Sequence, residues 1–262
     1  MTEISETEQK KLLLEMMQKF DSICEQYKLK YSLAYGSMLG AVRHKGFIPW
    51  DDDIDVLMPR KDYEKLLSLK YEDDTFVIKS YRYSENYYYI FAKMMNKKTY
   101  IKEANRGETD SGLFIDIQPV DYVDEDDKNF KLSVKKAMRT RNLIDHLGGN
   151  TSREESRNFV AYVLKNIGHL LLDPFRKSIL SHIDNKYIKE NGAYCANFIY
   201  DPTTAPHRAK LWDEITDYPF ENITVKGFKN YDEYLSKKYG DYMKLPPIEE
   251  QKSLHTFKAY LK

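Results

Sequence analysis

Asp53 and Asp55, in the run DDDIDVLMPR that begins at Asp51, have the type and spacing to hold a divalent cation. Residues two apart on a strand point to one face and sit ~6.6 Å apart along it. Two carboxylates so placed converge on one ion; without an ion they repel each other across a partly buried site. Ile54, Val56 and Met58 take the alternate positions that a buried strand face demands. Asp51 shares the alternation nearer a loop, and Asp52 is expected to point away. The ordinary alternative, a solvated acidic loop, fits poorly with apolar residues interleaved among the acids. Several oxygen ligands suit a hard cation, Mg²⁺ most simply, and Mn²⁺ fits as well.

Gly36 and Ser37 precede this run, between a short strand and a short helix. Glycine admits close approach of a phosphate, and a helix N-terminus offers free N–H groups and the positive end of a dipole. Ser37 can cap that helix or bond a phosphate oxygen. A Gly-Ser pair alone is an ordinary turn. Followed by D-x-D on a strand, it forms the phosphate cradle and metal-binding carboxylates that phosphoryl or nucleotidyl transfer needs. Arg43, His44 and Lys45 add cations between the two elements. Their bland role is a solvated helix end; Arg43 has the fork geometry of a phosphate clamp. A third carboxylate is wanted, and Asp116 is the candidate: it interrupts the apolar strand LFIDI, where a lone acid is costly unless paired or liganded. Asp121, beyond Pro119, reads as a loop or cap residue.

The elements that must position these groups can be read from periodicity. Ser5 with Glu8 predicts a capping box, and apolar residues from Leu12 to Tyr27 follow at helical spacing, with Cys24 in the core. Strands are expected at 31–35, 53–58, 75–80, 87–94, 99–103 and 113–117, and short helices at 38–43 and 60–69. From 125 to 188 the pattern is helical, interrupted at Pro174, with a turn at Gly148, Gly149 and Asn150. Strands at 194–200 and 218–225 and a helix at 231–239 ended by Gly240 complete the chain. The fold class expected is α+β: a mixed β-sheet core with flanking helices and a further helical region. The change of period near 124 suggests a core over 1–124 and a mostly helical part over 125–262 packed on it.

Composition narrows the function. The 262 residues carry 41 basic and 41 acidic side chains, a balance that disfavours a nucleic-acid binder. Two Cys cannot make a disulfide framework. No run approaches the ~18–20 apolar residues of a membrane-spanning helix, and the polar N-terminal segment is unlike a signal peptide. A cytoplasmic protein is expected. The 22 Tyr suit half-buried strands and read as composition drift.

The block GSMLGAVRHKGFIPWDDDIDVLMPRKDY resembles the hallmark of the LicD family, phosphocholine transferases of bacterial surface glycans in the nucleotidyltransferase-fold superfamily, with fukutin-related proteins as distant relatives. LFIDIQPVD resembles its third-carboxylate motif, FAKMMNKKTY its Lys…Thr pattern through Lys93 and Thr99, and YLSKKYGDYMKLPP with His255 its closing motif. The likeness touches 31–63, 91–121 and 231–255; the helical region 125–191 matches nothing and is where acceptor specificity would lie.

The resemblance implies that Asp53 and Asp55 are metal ligands and that Asp116 is a ligand or the general base. It makes Gly36 and Ser37 the holders of the donor phosphates, with Arg43, Lys93 and His44 as further substrate contacts. It implies a CDP-alcohol donor, CDP-choline first. The acceptor implied is a lipid-linked glycan such as a teichoic acid, lipopolysaccharide or capsule precursor, reached at the inner face of the membrane. Two alternatives stand beside it: a transferase that moves the nucleotide itself, and a non-catalytic glycan-binding subunit, which loss of an acid would favour. All three acids are present.

Overall fold

Ser5 caps the first long helix, its Oγ accepting the Glu8 N–H at 3.3 Å, as the Ser5–Glu8 spacing predicts. The computed structural model describes residues 2–85, 87, 89–102, 112–123, 135, 138–139, 142, 159–185, 188–189, 191–197, 206–253 and 258–262. Strand β1 (Thr2–Glu3) precedes this helix, α1 (Glu6–Tyr27), which buries Leu13, Met16, Met17, Phe20, Ile23 and Cys24 along one stripe. That stripe packs on strands of the central sheet.

The sheet is assembled from β2 (Ser32–Leu33), β3 (Asp55–Pro59), β4 (Phe76–Lys79), β5 (Ala92–Asn96) and β7 (Phe114–Val123), with β6 (Thr99–Lys102) outside it. Its order is β2-β3-β7-β5-β4; β3 and β7 run parallel, and the other pairs are antiparallel. Helices α2 (Tyr35–Arg43) and α3 (Arg60–Ser68) flank β3. The parallel β3–β7 pair is the mixed element of an α+β fold and sets the two candidate acids side by side.

Later segments close on this core. Helix α4 (Phe159–Asn185) runs through Pro174 without ending. Strand β8 (Tyr194–Ala196) pairs with the far end of β7, and β9 (His207–Arg208) pairs with β8. Strands β10 (Ile215–Phe220) and β11 (Ile223–Phe228) form a hairpin, α5 (Tyr231–Tyr239) follows, and β12 (Lys258–Leu261) joins β1 and β6 in a separate sheet.

Three differences from the periodic reading have physical causes. The expected strand 218–225 is a hairpin, turned at Glu221 with φ 54° and Asn222; without glycine that turn carries little sequence signal. The expected strand 87–94 starts only at Ala92, because the Tyr87 hydroxyl bonds back to the Phe91 carbonyl at 2.7 Å and the rings of Tyr87, Tyr89 and Phe91 pack on one another. Strand β7 continues past Ile117, carrying Asp121 within it. The turn at 148–150 and His255 lie outside the described residues.

Candidate active site

Asp55 opens β3, and its register partner across the parallel pair is Asp116 on β7. Asp116 in turn faces Lys93 on antiparallel β5. Three charged side chains therefore stand abreast on one face of three adjacent strands, while Val56, Ile115 and Ile117 fill the other. Lys93 is 2% exposed and its Nζ lies 2.6 Å from Asp116 Oδ1. The ammonium also sits 3.2 Å from the centre of the Phe114 ring and 4.2 Å from that of Tyr89.

The backbone fixes this row. The Asp55 N–H donates to Ser37 Oγ at 2.9 Å, and the Asp55 carbonyl accepts the Ala34 N–H at 2.9 Å. The Asp116 N–H donates to the Ile54 carbonyl at 3.0 Å. Burial pushes the Asp55 carboxyl well above the usual carboxylate range; the charges of Asp53 and Asp116 add to the rise and Lys93 opposes it. A divalent cation would remove this penalty by favouring the ionised form.

Asp53 is not on the strand as the D-x-D reading expects. It lies in the preceding loop, where carboxylate oxygens of Asp51, Asp52 and Asp53 come within 4.8 Å of one another. The reason is that α1 holds the loop: Gln9 donates to the Asp52 carbonyl at 3.1 Å and Lys10 to the Pro49 carbonyl at 3.0 Å. The Asp53 charge is nonetheless felt at Asp55, and oxygen donors from loop and strand are of the type that suits a hard cation.

Gly36 and Ser37 occupy the first turn of α2 rather than a break before it. Ala34 is the cap residue and supplies no side-chain bond, so Ser37 does not cap the helix; its buried hydroxyl holds Asp55 instead. A side chain at Gly36 would meet Asp51 Oδ2 at 2.5 Å, so glycine is what lets that carboxylate reach the helix start. The place an anion favours already holds one. Arg43 and His44 sit at the other end of α2, ~12 Å along its axis. There Arg43 donates to the Tyr242 carbonyl at 2.7 Å and to His44 Nε2 at 2.9 Å. Burial, then the Arg43 charge, holds the His44 imidazole below its ordinary value. Asp121 is no loop residue: it is buried in β7 and bound by Arg60 through both carboxylate oxygens, at 2.8 and 2.6 Å.

Residues 28–142 match the family described as LicD/FKTN/FKRP, nucleotidyltransferase domain. The chain is 30% identical, over its full length and the full length of the relative, to a protein of Haemophilus influenzae named lipopolysaccharide cholinephosphotransferase LicD. The chain belongs to the LicD family. Two uncharacterised proteins, of Rickettsia prowazekii and Rickettsia typhi, are each 38% identical over 50 residues, covering 19% of this chain and 19% and 16% of theirs.

The LicD-type domain match encloses Gly36, Ser37, Asp53, Asp55, Lys93 and Asp116. A polar relay that the sequence reading missed extends beyond it. Gln118 Nε2 donates to Asp55 Oδ1 at 3.1 Å. Its Oε1 accepts from the Tyr35 hydroxyl at 3.3 Å and from the Asn197 amide. Asn197 also donates to the Tyr35 hydroxyl at 3.2 Å. Because Oε1 is engaged by two donors, the amide of Gln118 is oriented with its N–H toward Asp55. Tyr35 itself is held at φ 46°, its N–H donating to the Tyr234 hydroxyl at 3.1 Å, a strained backbone secured from both sides. Gln118 was findable as the next residue on Asp116's face; Asn197, remote in sequence, carries no such signal.

Proposed function

We propose that this LicD-family chain transfers phosphocholine from CDP-choline to a hydroxyl of a lipid-linked bacterial surface glycan, using Mg²⁺ or Mn²⁺ held by Asp53, Asp55 and Asp116. The observation that carries the reading is the Asp55–Asp116 register pair beside the first turn of α2. The end-to-end likeness to a protein named a lipopolysaccharide cholinephosphotransferase supports phosphocholine and a glycan as the transferred group and acceptor class.

In this reading Gly36 and Ser37 receive donor phosphate at the α2 N-terminus, displacing Asp51 from it. Bound by the three acids, the metal would neutralise the pyrophosphate and the departing CMP. Asp116 takes the proton of the acceptor hydroxyl, with Lys93 facing it as its counter-charge. The hydroxyl oxygen forms its bond to the phosphorus that bears choline; the bond from that phosphorus to the bridging oxygen breaks, and CMP leaves with the electron pair. Arg43 and His44 serve by closing α2 against the C-terminal segment. Residues 1–124 form the nucleotidyltransferase-like core and 125–262 the acceptor side, working at the inner face of the membrane.

The test is incubation of the purified chain with CDP-choline, lipopolysaccharide and Mg²⁺. CMP release with choline phosphate on the glycan is expected. Transfer of CMP to the acceptor would identify a nucleotidyltransferase, and metal-independent turnover would remove the metal site from the reading.

A further inference from the structure

Four carboxylates act on one place. Asp51, Asp53 and Asp116 all press their charge on Asp55, and Lys93 opposes them. One divalent cation and one lysine do not balance four carboxylates. A donor with a diphosphate brings more negative charge to the same place, so its binding calls for a further cation. Arg43, the clamp expected from sequence, is engaged at the other end of α2 by the Tyr242 carbonyl. Lys10, near the acid loop, is held on the Pro49 carbonyl and lies 3.2 Å from Glu6.

Lys238 stands at the right end of α2. Its ammonium lies 4.8 Å from the centre of the Tyr35 ring, and Tyr35 is the first residue of that helix. Helix α5 brings it there: Tyr234, one turn earlier on the same face of α5, accepts the Tyr35 N–H at 3.1 Å. The N–H groups of Gly36 and Ser37 come next in that first turn, where a helix has no carbonyl of its own to offer them. At the tip of the same ring, the Tyr35 hydroxyl donates to the Gln118 amide that holds Asp55. One tyrosine thus carries the Lys238 ammonium on its face and touches the metal-ligand relay with its hydroxyl. A lysine is a point charge on a long flexible stem, so half-buried Lys238 can turn its ammonium to a phosphate while the stem stays in place.

We propose that Lys238 binds the diphosphate of the donor, beside the phosphate that Gly36 and Ser37 receive. The residue lies outside the matched segment 28–142, so the later part of the chain completes the donor site as well as facing the acceptor. The inference rests on the functional reading for the identity of the donor.

Calorimetry with saturating Mg²⁺ gives the affinities for CDP-choline and, separately, for inorganic pyrophosphate; CMP release gives KM and kcat. Lys238→Met keeps the length of the side chain and removes its charge. It should weaken both compounds by about tenfold to hundredfold, the range for a hydrogen bond to a charged group. KM for CDP-choline should rise with the loss of affinity, while the melting temperature and the Mg²⁺ requirement stay put. Lys238→Arg should restore most of the affinity. Unchanged affinity for both compounds in Lys238→Met overturns the proposal. So does a loss that comes with a lower melting temperature, because packing on Tyr35 would then explain it, and so does an equal loss in Lys238→Arg, because charge would then not matter. Pyrophosphate binding that Lys238→Met weakens, without CDP-choline turnover by the wild type, would sink the functional reading and leave this one standing. Phosphocholine transfer with affinities that Lys238→Met does not change would do the reverse, and no binding of either compound by the wild type would overturn both.

Discussion

Lys93 and Asp116 face each other across β5 and β7 with Nζ 2.6 Å from Oδ1, and Lys93 is 2% exposed. A buried pair of this kind adds little net stability over an apolar pair, yet losing one partner typically costs ~3–5 kcal/mol, because the other is left charged and dry. Lys93→Met should therefore lower the melting temperature by roughly 6–20 °C, at about 2–4 °C per kcal/mol for a chain of this size. Adding Asp116→Asn should recover most of that loss and none of the transfer activity. Thermal melts of the two single variants and the double variant give the coupling. Additive losses would mean that the pair is not a pair.

For Asp55 the expectation concerns pH and metal together. Its carboxyl titrates well above the usual range in the folded chain because it is buried among Asp53 and Asp116. A group raised on folding contributes fully below its unfolded pKa, and the contribution is lost as pH rises through its folded pKa. The metal-free protein should thus lose stability above the ordinary carboxylate range. Asp55→Asn should flatten that decline, raise the metal-free melting temperature at pH 7 by about 2–4 °C, and abolish transfer. Mg²⁺ should stabilise the wild type more at pH 7 than at pH 5, and the variant at neither. Melting curves at both pH values with and without Mg²⁺ decide it; wild-type turnover in Asp55→Asn would end the metal assignment.

Asp184 tests whether α4 depends on the core. It is 1% exposed and takes Arg60, Arg82 and the Tyr81 hydroxyl, while Arg60 also grips Asp121. Asp184→Asn leaves two guanidinium groups undercompensated and should cost ~3–5 kcal/mol. Activity per folded molecule should stay near wild type on a detergent-dispersed acceptor. Denaturant melts and active-site titration separate the two quantities.

The candidate acids were more legible than the contacts that place them. Asp55 and Asp116 stand on strands whose apolar alternation is local, so each read as a strand acid from its own segment; Lys93 entered through the family resemblance, and the register that sets the three abreast is long-range. Asp53 was misplaced because Gln9 and Lys10, distant in sequence, hold its loop. Asp121 read as a loop residue because its partner Arg60 lies on another element. Gly36 and Ser37 read as a break because nothing local says that Tyr35 starts the helix at positive φ. Each error sits where a long-range contact overrules the local pattern.

Gln118 offers the sharpest test of the relay. Its side chain fixes one oxygen of Asp55 and leaves the other for a ligand. Gln118→Leu removes that donor and, with it, the acceptor that the Asn197 amide and the Tyr35 hydroxyl share. Loss of a partner that orients a metal ligand typically lowers metal affinity or activity ~10–100-fold. The apparent Mg²⁺ requirement should rise by about that factor, and excess Mg²⁺ should restore most of kcat. Gln118→Glu is the companion. It keeps an acceptor for Asn197 and Tyr35, but when ionised it sets a negative charge against Asp55 in place of a donor. Its requirement should rise further, and more at pH 8 than at pH 6. A merely structural role would lower the melting temperature in Gln118→Leu without moving the Mg²⁺ titration. An unchanged titration in both variants would remove Gln118 from the site.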